Sequence, residues 1–182
     1  MAKNQSRQIV QKYIDYLNEV LNNTITDSRL VIVGGTQELV YLVSCFQNDK
    51  IVPLKLAPQK WLYFRQLVSI QTRKIIVREC RYHYSLSSNP DDEEQWIFRY
   101  EYCLEPEDQV PHAHLHLNAI RGGQNLKHIH FPTGRVSIEQ VIAHLIIEHG
   151  VKPKGQNWFT ILADSHQGFT KRRTDPHPHL FP

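Results

Sequence analysis

The stretch HAHLHLNAIRGGQNLKHIHF, residues 112–131, gathers His112, His114, His116, His128 and His130 within twenty residues. Imidazole changes charge nearest to neutral pH, and its two ring nitrogens can move a proton, hold a phosphate or ligate a metal. The alternate spacing of the first three histidines, and again of the last two, is that of side chains sharing one face of a β-strand. A strand would therefore turn each set together toward one reaction partner.

Other strands must position these two. IIVRECRYHYSL (75–86) and EQWIFRYEYCLE (94–105) flank SSNPDDE, whose Pro, Asn and Asp mark a loop. VPHAHLHLNAI (110–120) and LKHIHF (126–131) follow, separated by Arg121–Gly122–Gly123. The pattern predicts a meander of about four antiparallel strands over 75–131, with one face buried and the other wet. Strand parity assigns Trp96, Phe98, Tyr100, Tyr102, Ile76, Cys80, Tyr82, Tyr84, Leu115 and Leu117 to the core. Glu79, Arg81, His83, Arg99, Glu101, Asn118 and all five histidines then fall on the opposite, polar face. The shortest hairpins align two rows across the strands, His83–Arg99–His116–His128 and Arg81–Glu101–His114–His130.

A carboxylate among histidines and arginines has chemical meaning. Glu101 beside His114 would orient that imidazole and raise its basicity. Arg99 and Arg81 would stabilise the charge that develops on a phosphoryl group under attack. One histidine as base and another as acid suffice to cleave RNA through its own 2′-hydroxyl, so no cofactor is expected on this reading. His114, His116, Glu101 and Arg99 are the candidate catalytic set, with Arg81, His83, His112, His128, His130 and Arg135 in support. A competing reading makes His114, His116, His128 and His130 ligands of zinc or another divalent metal. On a third, a solvated sheet face simply carries polar residues.

The rest of the chain frames this sheet. SRQIVQKYIDYLNEVLN (6–22) has the apolar period of an amphipathic helix. Short β-branched runs follow, and then QKWLYFRQLVSIQTRK after Pro58, whose Trp61, Phe64 and Leu67/Val68 predict a second helix with the proline near its start. Ser137 and Gln140 form a capping box ahead of IEQVIAHLIIEHG, and a last helix is expected over about Asn157–Arg173. The class is α+β: an antiparallel sheet, the meander plus amino-terminal strands, with helices packed on one face. Residues 1–174 read as one domain and 175–182, rich in Pro and His, as a mobile tail.

Composition narrows the setting. A formal net charge of +3 over 182 residues permits an anionic partner but falls short of a dedicated DNA binder. No apolar run reaches the roughly 18 residues of a membrane span. The three cysteines are too irregularly spaced for a disulfide framework or a cysteine zinc site. MAKNQSRQIVQKY lacks an apolar signal core, so a cytoplasmic protein is expected.

Two resemblances bear on function. DQVPHAHLHLNAI resembles the histidine-triad signature of nucleotide hydrolases and transferases over 112–118, which implies His116 as nucleophile with His112 and His114 in support. Over about 97–160, RYEY…P…VPHAHLHL…HFPTGRVSIEQVIAHLIIEHGVKP is similar to a set of bacterial proteins with this motif order and to TumE-type toxins of toxin–antitoxin operons. That likeness implies a ribonuclease-like toxin with RNA as substrate and an antitoxin protein as partner. The expectation is thus a phosphodiester-directed enzyme acting on RNA, the alternatives being a nucleotide hydrolase or transferase and a noncatalytic module that binds a metal or a partner.

Overall fold

A computed structural model of the chain describes residues 2–34, 39–44, 46–47, 50–89 and 92–172; the 175–182 tail lies outside them. Helix α1 (Ala2–Thr24) leads into strands β1 (Leu30–Val33), β2 (Leu39–Ser44), β3 (Phe46–Gln47), β4 (Lys50–Ile51) and β5 (Leu54–Ala57). The long strands β6 (Lys60–Gln71) and β7 (Lys74–Ser85) come next, then β8 (Trp96–Cys103) and β9 (Ala113–Leu117). The short β10 (Ile120–Arg121), β11 (Gln124–Asn125) and β12 (Phe131–Pro132) precede helices α2 (Ile138–Ile147) and α3 (Trp158–Arg172). Among the described residues eight strands form one antiparallel sheet in the order β1-β2-β6-β7-β8-β9-β12, with β5 also paired to β6. The α+β architecture is the one expected. No helix among the described residues is long and apolar enough to cross a membrane.

One face of this sheet meets all three helices. Leu62, Phe64 and Val68 of β6, Cys80, Tyr82 and Tyr84 of β7, and Phe98 and Tyr102 of β8 pack against Val10, Ile14, Leu17 and Leu21 of α1. Val141, Ile142 and Leu145 of α2 and Leu162 of α3 complete the core. Gln66, Tyr82 and Glu139, buried polar groups on this face, are paired, as burial requires. The Tyr13 hydroxyl donates to Gln66 Oε1 at 3.0 Å, and Gln66 Nε2 donates to the Tyr82 hydroxyl at 2.8 Å. Buried Glu139 accepts from the hydroxyls of Tyr16 and Ser165, tying α1, α2 and α3 together.

The expected capping box is present. Ser137 Oγ accepts from the Gln140 amide, and Gln140 Oε1 accepts from the Ser137 amide at 2.9 Å. Ser137 Oγ also lies 3.1 Å from His166 Nδ1 of α3. Ser137→Ala removes a helix cap and that contact at once, so urea unfolding should show a loss of about 1–2 kcal/mol. At the other end of α2, Gly150 takes a φ of +59° and the chain turns so that the Val151 amide reaches the Leu145 carbonyl at 3.1 Å.

Three sequence expectations are corrected. Residues 60–71 form strand β6 and not a helix: Pro58 opens a two-residue turn in which Gln59 takes a φ of 57°, and Thr72 and Arg73, with φ of 47° and 64°, close a hairpin onto β7. Two positive φ values in a two-residue loop are what the right-handed twist of a hairpin favours. The meander's fourth strand over 126–131 shrinks to Phe131–Pro132, because Gly122–Gly123, both at positive φ, fold 120–125 into a small hairpin of its own. Phe131 pairs with Leu115 and Pro132 with His114, so the expected pairs His116–His128 and His114–His130 do not form. Finally, bulges shift parity. Ile97 is the extra residue between the pairs Tyr84–Phe98 and Ser85–Trp96, which carries Trp96 to the polar face, and a bulge at Arg78 places Val77 rather than Ile76 in the core.

Candidate active site

The face turned away from the helices carries the charged residues. Pairing across β6, β7, β8 and β9 aligns Arg65, Arg81, Glu101 and His114 in one row, and Tyr63, His83, Arg99 and His116 in the next. The first three strands of the expected meander therefore hold the expected register. The face is drier than expected: His114 and His116 are each only 4% exposed. A cover from two loops accounts for this. Asn118 Nδ2 donates to the Trp96 carbonyl at 2.7 Å, Lys127 Nζ donates to the Glu93 carbonyl at 2.8 Å, and the Lys127 carbonyl accepts from His116.

Glu101 is the centre of charge. Its Oε1 lies 2.8 Å from Arg81 Nε and 2.6 Å from Arg99 Nε, and its Oε2 lies 3.4 Å from His114 Nε2. Neither guanidinium N–H is aligned for a hydrogen bond, so the buried Oε1 is held by ion pairing alone. Burial raises the carboxyl's pKa, but His114, Arg81, Arg99 and His116 together outweigh it and hold it down at about 2. Glu101 is ionised wherever the protein is folded near neutral pH. A further ion pair, Arg65 to Glu79 at 4.0 Å, extends the network to β6. Three guanidiniums against two carboxylates leave this network of ion pairs one positive charge in excess.

The histidines are fixed by backbone carbonyls. The Nδ1 of His112, His114 and His116 lie 3.1, 2.9 and 3.1 Å from the carbonyl oxygens of Cys103, Pro111 and Lys127. A carbonyl only accepts, so each Nδ1 carries a proton and Nε2 is the nitrogen left to face the site. His130 stacks on His114 with ring centroids 4.6 Å apart and planes within 4°, and stands at the same distance from His116 nearly edge-on. One ring nitrogen each of His114, His116 and His130 lies within 4.8 Å of the other two, a group able to hold a metal ion. Desolvation, with Arg99 second, keeps His116 neutral down to about pH 4.

His83 lies one row over, with its ring 5.2 Å from Tyr63 and 5.8 Å from Trp96. Its buried Nε2 has no hydrogen bond, and burial followed by Arg99 and Arg81 lowers its pKa to about 4. Unfolded His83 takes a proton near 6.5 and folded His83 resists it. Its contribution to stability is therefore complete above pH 6.5 and drains away as pH falls toward 4, by up to about 3 kcal/mol. Urea midpoints recorded from pH 7.5 to 4 should fall less steeply for His83→Phe than for the wild type.

Of the other expected residues, His112 sits beside Cys103 at the edge of the face, and His128 is exposed and outside the three-histidine group. Arg135 stands apart, with its guanidinium 4.5 Å from the Tyr102 ring and 5.3 Å from the Phe169 ring on the helical side. Sequence reasoning missed Arg65 and assigned Trp96 to the core face. Arg65 becomes legible once Leu62, Phe64, Gln66 and Val68 are read at strand period, because it then alternates with them and faces Arg81. Arg65, Glu79, Arg81, Glu101, Cys103 and His114 line a cavity of about 170 Å³.

Arginines flanking a carboxylate, beside neutral imidazoles and a small cavity, can accept an anionic group and activate an oxygen next to it. Comparison with protein-family models, with curated proteins and with solved structures found no match to this chain.

Proposed function

We propose that this face is a phosphodiester-directed active centre and that RNA is its substrate. The observation that carries the reading is Glu101 held between Arg81, Arg99 and His114 at the lip of the cavity. Phosphoryl transfer asks for two things, cations where charge develops on the non-bridging oxygens and a group that activates the attacking oxygen. Arg81 and Arg99 supply the first, and the Glu101–histidine cluster supplies the second.

Cavity size supports a polymer over a free nucleotide. Pockets that enclose a small-molecule ligand run to roughly 300–1,000 Å³, and about 170 Å³ takes in little more than the phosphate group itself. A single-stranded chain could lie across the sheet with one phosphodiester seated, its neighbours left to solvent. The likeness of residues 97–160 to TumE-type toxins supports the further reading that the chain is the toxin of a toxin–antitoxin pair, held inactive by a partner protein.

Induction of the wild-type chain in a tightly repressed bacterial host should arrest growth and fragment total RNA within one generation. Normal growth with intact RNA would overturn the proposal. A preparation with Arg99→Leu should retain its fold by circular dichroism and lose most of the cleavage, because the guanidinium acts on charge that grows only in the transition state.

A further inference from the structure

The reading of this face as a reactive centre can be deepened by asking what the histidines hold. We propose that His114, His116 and His130 form a three-histidine site for a divalent transition metal of the zinc type. Their ring nitrogens already converge to within 4.8 Å of one another. Ligands 2.0–2.1 Å from a tetrahedral ion stand roughly 3.3 Å apart, a closure that small side-chain rotations achieve. His130 is the ring to make the move, since it lies in the irregular stretch between β11 and β12 and is more open than His114 or His116.

Three further observations agree. The Nδ1 protons of His114 and His116 are donated to the carbonyls of Pro111 and Lys127, which fixes the tautomer and aims each Nε2 lone pair; metal-bound imidazoles have this outer partner almost always. His114 Nε2 faces Glu101 Oε2 at 3.4 Å, so a carboxylate stands beside the ligand set. Glu101 Oε1 is taken up by Arg81 and Arg99, which leaves Oε2 as the oxygen turned toward the histidines.

The donor set selects the metal class. Three neutral imidazoles suit zinc, copper or nickel, whereas magnesium and calcium require oxygen ligands. Three protein ligands leave a fourth position open, the arrangement of catalytic rather than structural zinc. Of the three histidines His114 lines the cavity, together with Glu101, which sets the metal site at the side of the cavity. A divalent ion held there would supply Lewis-acid activation of a water and neutralise charge on the phosphate, and Glu101 beside it would receive the water's proton.

The test is metal binding by the full-length protein, stripped with chelator and titrated with Zn²⁺ and, for a spectroscopic signal, with Co²⁺. The expected result is one ion per chain, a Co²⁺ spectrum of tetrahedral type, and affinity at least about 100-fold weaker in His130→Gln, beyond the 10–100-fold cost of disturbing an outer-shell partner. Because His130 is the most open of the three, that variant should fold, and circular dichroism checks it; His116→Gln provides a second case. A folded wild-type chain that takes up no Zn²⁺, or equal affinity in wild type and His130→Gln, would overturn the assignment. RNA cleavage at full rate by the stripped protein would overturn the metal's part in the reaction, while leaving the proposed function in place. Stoichiometric binding without RNA cleavage would uphold the site and remove the function proposed above.

Discussion

His114→Gln should lower single-turnover cleavage of a single-stranded RNA by about 10²–10⁴-fold, the range over which a positioned proton-transfer or nucleophile-activating group acts. The side chain is buried, its Nδ1 is spent on the Pro111 carbonyl, and its Nε2 is the only nitrogen left to face Glu101 and the cavity. Glutamine keeps the polarity and approximate length, but its amide cannot take up a proton or reproduce the fixed Nε2 lone pair. The loss should appear in the rate of the chemical step with RNA affinity little changed, because a proton-transfer group acts only as bonds change. Equal loss of rate and affinity would instead mark His114 as a binding group.

The largest effect on stability is expected on the helical side of the same sheet. Phe64 has no exposed surface, and its ring packs against Tyr82 with centroids 5.4 Å apart. Phe64→Ala should cost about 3–5 kcal/mol, the transfer term for the ring plus the cavity left in a core that relaxes only in part. Its neighbour Arg65 is on the other face, half-exposed, in a 4.0 Å ion pair with Glu79. Arg65→Ala should cost less than about 1 kcal/mol, as exposed ion pairs do. Urea unfolding of the two variants side by side tests whether 60–71 is a strand, since a helix with its stripe on Phe64 and Leu67/Val68 would make Leu67→Ala as costly as Phe64→Ala, whereas in β6 Leu67 faces Glu79 on the polar side.

Parity was the strongest signal in the sequence. Tyr100 and Tyr102 against Arg99 and Glu101, and Leu115 against His114 and His116, fix both faces of β8 and β9, and the observed pairs Arg99–His116 and Glu101–His114 follow once the shortest hairpin that respects this alternation is chosen. Parity fails where one residue is inserted. The bulge at Ile97 reverses Trp96, and nothing in EQWIFRY announces it. Residues 60–71 were ambiguous for a different reason: Leu62, Phe64 and Val68 fit strand period, while Trp61, Phe64 and Leu67/Val68 fit helix period. The pairing with β7 decided between them, and Thr72–Arg73 carries none of the glycine or asparagine that usually marks such a turn. The stretch 126–130 alternates like a strand yet pairs with nothing as one, since the Gly122–Gly123 hairpin uses up the chain that would have brought it back in register. His130 does stand beside His114, as the expected row had it, but by ring stacking from an irregular stretch rather than by strand pairing.

Glu101 links every part of this account, because the arginines, His114 and the cavity meet at its carboxylate. The most direct measurement is the cleavage rate of one defined RNA by purified wild type and by Glu101→Gln under identical conditions. The account predicts cleavage by the wild type and a fall of about 10²-fold or more in the variant, with the fold intact by circular dichroism. Cleavage at equal rates by the two proteins, or no cleavage by the wild type, would contradict it.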